Sequence, residues 1–267
     1  MKLSGNTILI TGGASGIGEA LAHRFHDLGN TVIVAGRRRE ALERAIAGRA
    51  NMHAVELDVS DAAGLAAAAA RLVADFPALN VLINNAGVMY FEPLDTARDL
   101  AEAEATVETN LLGPIRLTNA LIDHLAARGD AAVINVTSGL AFVPLVAAPT
   151  YSATKAAVHS YTVALRDALA YTVALRDALE GKVEVIELAP PGVQTALTPG
   201  QENRPGYLPL EDFADEVMAL FSVVPTPKEI LVERVKPLRL AEQDKRFDEA
   251  LQSINEFARK AREQQEA

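Results

Sequence analysis

The segment ILITGGASGIGEALA sets Gly12, Gly16 and Gly18 directly after an apolar run and directly before a helical pattern. Glycines at such a junction permit a tight turn and let backbone amides approach a diphosphate, whose charge then rests on the helix N-terminus. The spacing is G-x-x-x-G-x-G rather than G-x-G-x-x-G, and an ordinary glycine turn has the same composition. Position at the first strand–helix step of the chain favours the phosphate reading. A second signal is TVIVAGRRRE, where Gly36 is followed by Arg37, Arg38 and Arg39. An NAD site places a carboxylate at this strand end to accept hydrogen bonds from the adenosine ribose. A carboxylate would repel a 2′-phosphate, whereas a guanidinium grips it with two parallel hydrogen bonds. Solvated arginines on a first helical turn are the plainer alternative, but positive charge is unfavourable at that end of a helix dipole. These residues point to NADP(H). A third group is YSATK, which puts Tyr151 and Lys155 four residues apart on one helical face, with Ser138 ending AAVINVTS thirteen residues upstream. Each of the three is commonplace alone; behind a glycine turn the combination is specific.

Such side chains need a rigid frame. Short β-rich runs, TILIT, NTVIVAG, MHAVELD, LNVLINNAG, DAAVINVTS and KVEVIELAP, alternate with longer helical stretches. The runs are continuously apolar, which implies a sheet buried on both faces. Strand–helix alternation predicts an α/β fold: a single-domain doubly wound parallel sheet, Rossmann-like, with helices on both faces. No linker divides it, so residues 1–240 read as one dinucleotide-binding and catalytic domain. Residues 241–267 read as a charged helical tail, solvated or packed at an interface. A net charge of −10 argues against a nucleic-acid partner. With no cysteine there is no thiolate or disulfide chemistry, and no metal site is expected. The longest apolar stretch is broken by Asn135, Thr137, Ser138 and Pro144, so no membrane span is expected. MKLSGNTILITGG enters a strand pattern at once without a long apolar leader, which suggests a cytoplasmic protein.

Over roughly residues 5 to 195 the chain resembles the short-chain dehydrogenase/reductase family, through TGGASGIG, LDV, NNAG, Asn110 in ETNLLG, Ser138, YSATK and PPGVQT. The irregular region after Pro199 and the tail are similar to a bacterial branch of that family. The resemblance implies an oxidoreductase that transfers hydride between NADP(H) and a carbonyl or secondary alcohol. Tyr151 would be its general acid and base. A free phenol has a pKa of about 10, and a cationic Lys155 one turn away is expected to lower it. Lys155 would also bind the nicotinamide ribose, Ser138 would donate a hydrogen bond to the carbonyl oxygen, and Asn110, mid-helix, would tie Lys155 to a water chain. The implied cofactor contacts are Gly12, Ser15, Gly16, Ile17, Gly18, Arg37 and Arg38 at the phosphates, with Asp58 and Val59 at the adenine. Asn85, Ala86 and Gly87 would pass the adenosine ribose, and Val193 and Thr195 would hold the carboxamide. In PPGVQT, Pro191 stands where the family usually has glycine, which removes an N–H and stiffens the turn. The family commonly forms dimers or tetramers, so a homo-oligomer is expected. A decayed NADP(H)-binding sensor is the alternative, and the intact Asn110, Ser138, Tyr151 and Lys155 argue against it. Residues 89–91, the stretch after Ser138 and residues 196–210 should line the substrate pocket. They are largely apolar without an obvious arginine clamp, which predicts a small uncharged substrate.

One feature fits no site. Tyr161–Leu169 recurs letter for letter as Tyr171–Leu179. A single ten-codon duplication accounts for it, including Ala170 at the junction. Ten residues add about 15 Å to a helix and turn the second copy's apolar face about 80° from the first. The first copy is therefore expected to keep its place on the sheet. The second is expected to project beyond it, partly unwound, and to alter subunit packing.

Overall fold

The computed structural model describes residues 1–175 and 182–266, with side chains described for residues 1–169 and 183–260. The strands are β1 (Thr7–Thr11), β2 (Thr31–Gly36), β3 (Met52–Glu56), β4 (Leu79–Asn84), β5 (Asp130–Val136), β6 (Lys182–Leu188) and β7 (Glu229–Ile230). All pair in parallel, in the order β3-β2-β1-β4-β5-β6-β7. The helices are α1 (Gly16–Asp27), α2 (Arg39–Ile46), α3 (Leu65–Asp75), α4 (Ala101–Val107), α5 (Gly113–Ala126), α6 (Pro149–Leu175), α7 (Leu210–Phe221), α8 (Lys236–Arg239) and α9 (Phe247–Glu266).

The continuously apolar strands are explained by two cores. Ile8 and Ile10 of β1 face α1 and α7 through Leu21, Phe25, Phe213 and Phe221. Leu9, between them, faces α3 and α5 through Leu72, Leu117 and Leu121. Successive side chains of a strand point to opposite faces, so a doubly covered sheet demands apolar residues at every position. Chain order reverses between β1 and β4, and the loops leaving their carboxyl ends diverge there to open a crevice.

Two elements depart from the expected pattern. The helix expected around Asn110 is broken by a π-helical turn, Glu108–Leu112, between α4 and α5. Asn110 sits in that turn. The tail helix α9 is not free of the domain. Asn255 accepts from Val146 N at 2.7 Å and donates to Pro144 O at 3.2 Å, which pins α9 to the segment between β5 and α6. Among the described residues no helix is long and apolar enough to cross a membrane.

The register of α6 is held by a buried polar chain. Asn84 Nδ2 donates to Asn135 Oδ1 at 2.8 Å and to Thr118 Oγ1 at 3.0 Å. Asn135 Nδ2 donates to Thr162 Oγ1 at 2.9 Å, and Thr162 donates to Val158 O at 2.7 Å. Thr162 belongs to the first copy of the repeat. Leu165 and Leu169 of that copy pack on the core, and Arg166 donates to Val185 O and Lys228 O at the sheet edge. The first copy thus lies on the sheet. The projection, unwinding and subunit contacts expected of the second copy lie outside the described residues, apart from the helical backbone of α6 to Leu175.

Thr162→Val keeps the shape of the side chain but leaves the buried Asn135 amide without its acceptor. It should lower unfolding free energy by about 1–3 kcal/mol, read as a shifted urea midpoint at unchanged slope. An unshifted midpoint would mean that apolar packing alone sets the register.

Candidate active site

The crevice begins with the loop after β1. Gly12 has φ +65° and Gly16 φ +55°, conformations that favour glycine. A Cβ on Gly12 would lie 3.0 Å from Ala86 Cα, and one on Gly18 only 2.3 Å from Gly12 O. Glycine at these positions therefore lets the β1 loop close against the β4 loop and against α1. Asn85 secures the contact by donating through Nδ2 to Thr11 O at 3.0 Å and Gly12 O at 3.3 Å. Thr11 Oγ1 in turn accepts from the amides of Asn85 and Ala86.

The result is a cavity of about 170 Å³ lined by Gly12, Ser15, Arg37, Arg38, Asp58, Val59, Ala86 and Gly87 from the predicted set, and also by Thr11, Val88 and Thr109. A dinucleotide fits this cradle by its chemistry: backbone at closely packed glycines, a helix N-terminus at α1, and two guanidinium groups at the β2 end. Arg39 is turned elsewhere, onto Glu43 at 2.8 Å. Burial pushes the Asp58 carboxyl up, but hydrogen bonds from Ser60 and the charge of Arg37 outweigh it and hold the group below its ordinary range. Gly16, Ile17, Gly18 and Asn85 are part of the frame behind the cavity. Gly16 faces Thr195, whose methyl would lie 3.3 Å from an added Cβ. Thr195 Oγ1 and Val193 O both accept from Gln201 Nε2.

Beyond Gly87 the polar set converges. A Cβ on Gly87 would lie 3.4 Å from Asn110 Oδ1 and 3.7 Å from Lys155 Nζ. Asn110 is tied at both ends to the backbone of one residue: it accepts from Val88 N and donates to Val88 O, each at 2.8 Å. The π turn aims it there, and such turns recur at functional sites. Lys155 Nζ donates to Val136 O at 2.8 Å, two residues before Ser138, and stands 5.6 Å from the centroid of the Tyr151 ring. The Ser138 hydroxyl hydrogen-bonds the Tyr151 phenol and accepts from Leu140 N at 3.1 Å. Glu92, which sequence reasoning passed over, fixes the start of α6. Its two oxygens accept from Thr150 N at 3.2 Å and Thr150 Oγ1 at 2.7 Å, and Arg98 holds the same carboxylate.

Residues 6–205 match the short chain dehydrogenase family. The chain belongs to that family. It is 37% identical over 257 residues to the "Uncharacterized oxidoreductase DltE" of Bacillus subtilis, covering 93% of this chain and 98% of that one. It is 33% identical over 195 residues to a sulfoacetaldehyde reductase of Chromohalobacter salexigens, covering 72% and 74% of the two chains. A short chain dehydrogenase of Burkholderia cenocepacia solved with NADP superposes with a TM-score of 0.77 at 26% identity, covering 96% of this chain and 99% of the other.

In this short chain dehydrogenase a second cavity, of about 440 Å³, opens beside Ser138 and Tyr151. Met89, Leu140, Leu145, Leu197 and Tyr207 line it from the stretches expected. Arg234 and Arg246, which lie outside those stretches, also line the cavity. The tail helix adds Ile254, Phe257 and Ala258, so the tail helps form the pocket rather than being a wholly solvated appendage. Gly192, in the PPGVQT variant, lies flat against Tyr207: a Cβ there would meet its ring at 3.1 Å. Tyr207 stacks in turn on Phe257, with centroids 6.1 Å apart.

Protonation in the protein alone runs against the sequence expectation. Burial pushes Tyr151 up to about 12, the Ser138 hydrogen bond opposing and Tyr207 adding to the rise. Burial likewise pulls Lys155 down to about 8. Desolvation disfavours the charged form of each. Below about pH 8 the fold therefore holds a buried ammonium that water would solvate better. Between about 8 and 10.5 the folded protein has released this proton while the unfolded chain still holds it, so the destabilisation fades. Lys155→Met should accordingly melt above the parent at pH 7. The gain is bounded by ~3 kcal/mol and reduced by ~1 kcal/mol for the bond lost at Val136 O. Thermal scans from pH 7 to 10 should show the advantage shrinking with pH; a constant or growing gap would contradict a depressed Lys155.

Proposed function

We infer that this protein is an NADP(H)-dependent oxidoreductase acting on a small carbonyl or secondary alcohol, with Tyr151 as general acid and base. The observation that carries this reading is the position of Tyr151 and Ser138 in the wall of the larger cavity, with Lys155 and Asn110 converging on Gly87 at the edge of the smaller one. NADP(H), when bound, supplies or accepts the hydride. Gly12, Ser15 and the N-terminus of α1 suit its diphosphate, and Arg37 and Arg38 suit a 2′-phosphate. The NADP bound to the Burkholderia cenocepacia relative supports the same choice.

The chain's own residues handle the proton. Ser138 and Tyr151 hold the substrate oxygen between their hydroxyls, and in reduction the Tyr151 proton passes to it. Burial keeps the phenol protonated through the neutral range, as a donor requires. Lys155 braces the end of β5 through Val136 O and, when protonated, stabilises the phenolate left behind. Asn110 fixes the peptide at Val88, and so the edge of the site on which Lys155 also converges.

Tyr151→Phe should lower carbonyl turnover by roughly 100-fold or more while leaving NADPH affinity nearly intact. Steady-state rates and fluorescence titration separate the two, and near-normal turnover would remove Tyr151 from this role. Arg37→Ala should weaken NADPH binding by about 1.5–3 kcal/mol and scarcely change NADH. Equal losses for both cofactors would show that Arg37 does not read the phosphate.

A further inference from the structure

The larger cavity holds charge that the chemistry above does not use. Arg234, just before α8, and Arg246, just before α9, both line it. Arg234 is exposed, and its guanidinium has no ion pair among the described residues. Arg246, half exposed, pairs among the described residues only with Asp244, at 3.5 Å. By contrast, Arg239 makes two 2.9 Å bonds to Glu229, and Arg24 bridges Glu211 and Asp215. Behind the wall lies a third cation. Arg204 is 8% exposed, its Nε has no partner among the described residues, and no carboxylate there pairs with it. It donates to the Tyr207 hydroxyl at 3.3 Å and lies 5.2 Å over that ring, which itself lines the cavity. Glu249 is the one carboxylate in the wall among the described residues, so positive charge is in excess there although the chain carries −10 overall. Cations at the rim of an apolar cavity whose wall holds little opposing charge raise the local concentration of an anion there.

The remaining wall is apolar and the cavity is roomy, within the range of about 300–1,000 Å³ common to ligand sites. We propose that the substrate is an oxo- or hydroxy-carboxylic acid of medium chain length. Its carbonyl or alcohol reaches Tyr151 and Ser138, its carbon chain lies along Leu140, Leu197 and Phe257, and its carboxylate is held by Arg234 and Arg246. This rests on the oxidoreductase reading and replaces the uncharged substrate expected from the sequence. That expectation drew on three stretches near Ser138, whereas Arg234 and Arg246 come from none of them.

Two measurements test it. In calorimetry of the protein saturated with NADP⁺, hexanoate should bind about 10- to 100-fold tighter than hexanamide, the worth of charge-assisted hydrogen bonds. The doubly substituted R234A/R246A protein should lose that preference, and Glu249→Gln should widen it. In turnover with NADPH, kcat/KM for 6-oxohexanoate should exceed that for its methyl ester by a similar factor, and the ratio should collapse toward one in R234A/R246A. Equal binding of hexanoate and hexanamide, or equal losses for acid and ester in the variant, would overturn the proposal. Absence of turnover on any carbonyl would count against the oxidoreductase reading alone, because the hexanoate titration decides the anion site without catalysis.

Discussion

The placement of α6 depends on the buried chain Asn84–Asn135–Thr162. All three side chains lie in the interior, at 3%, 0% and 0% exposure, and the first two sit opposite each other on neighbouring strands. A buried amide that loses its partner costs more than the bond contributes when made, so such a chain tolerates very few registers. Sliding α6 by a turn would leave Asn135 unpaired and carry Tyr151 and Lys155 away from β5. The chain also constrains the repeat. Thr162 lies eleven residues after Tyr151, whereas its copy, Thr172, lies twenty-one after. Pairing the copy with Asn135 would drive Tyr151 ten residues out of the site. It is the first copy that pairs with Asn135.

With α6 fixed at both ends of its first turns, by Glu92 at Thr150 and by the polar chain at Thr162, its first two turns bring a phenol and an amine into a dry space. Burial then sets their protonation. Burial holds the Tyr151 phenol up to about 12 and pulls Lys155 down to about 8, each because desolvation disfavours its charged form. The same frame that makes the geometry rigid therefore sets the resting charge of the site.

The outer wall of the larger cavity is built on different terms. It is assembled from the turn after β6 through Gly192, the segment before α8 and the tail helix, joined by flat contacts between Gly192, Tyr207 and Phe257. The Pro191–Gly192 departure from the usual family turn finds its reason here, since the ring of Tyr207 needs the space a side chain at 192 would take. The outer wall still touches the frame around Tyr151, because Ala258 of α9 packs on the cluster of Leu145, Ala148 and Tyr151.

The residue order alone determined the parallel doubly covered sheet, because continuous apolar strands alternating with helices have no other way to bury both faces. It also determined the glycine cradle, since Gly12, Gly16 and Gly18 stand where only a chain without side chains can turn and approach β4. Tyr151, Lys155 and Ser138 were legible because helical spacing and a strand end are local properties. Glu92, Thr11 and the π turn at Asn110 were not, since each acts through a partner distant in sequence and carries no periodic signal of its own. The protonation of Tyr151 and Lys155 required the tertiary structure, as desolvation depends on the whole surround rather than on the neighbour one turn away. So did the arginines of the larger cavity. Arg234 and Arg246 lie outside the three stretches expected to line the pocket, and only the folding of the segment before α8 and of the tail brings them into the wall of the cavity that Tyr151 also lines.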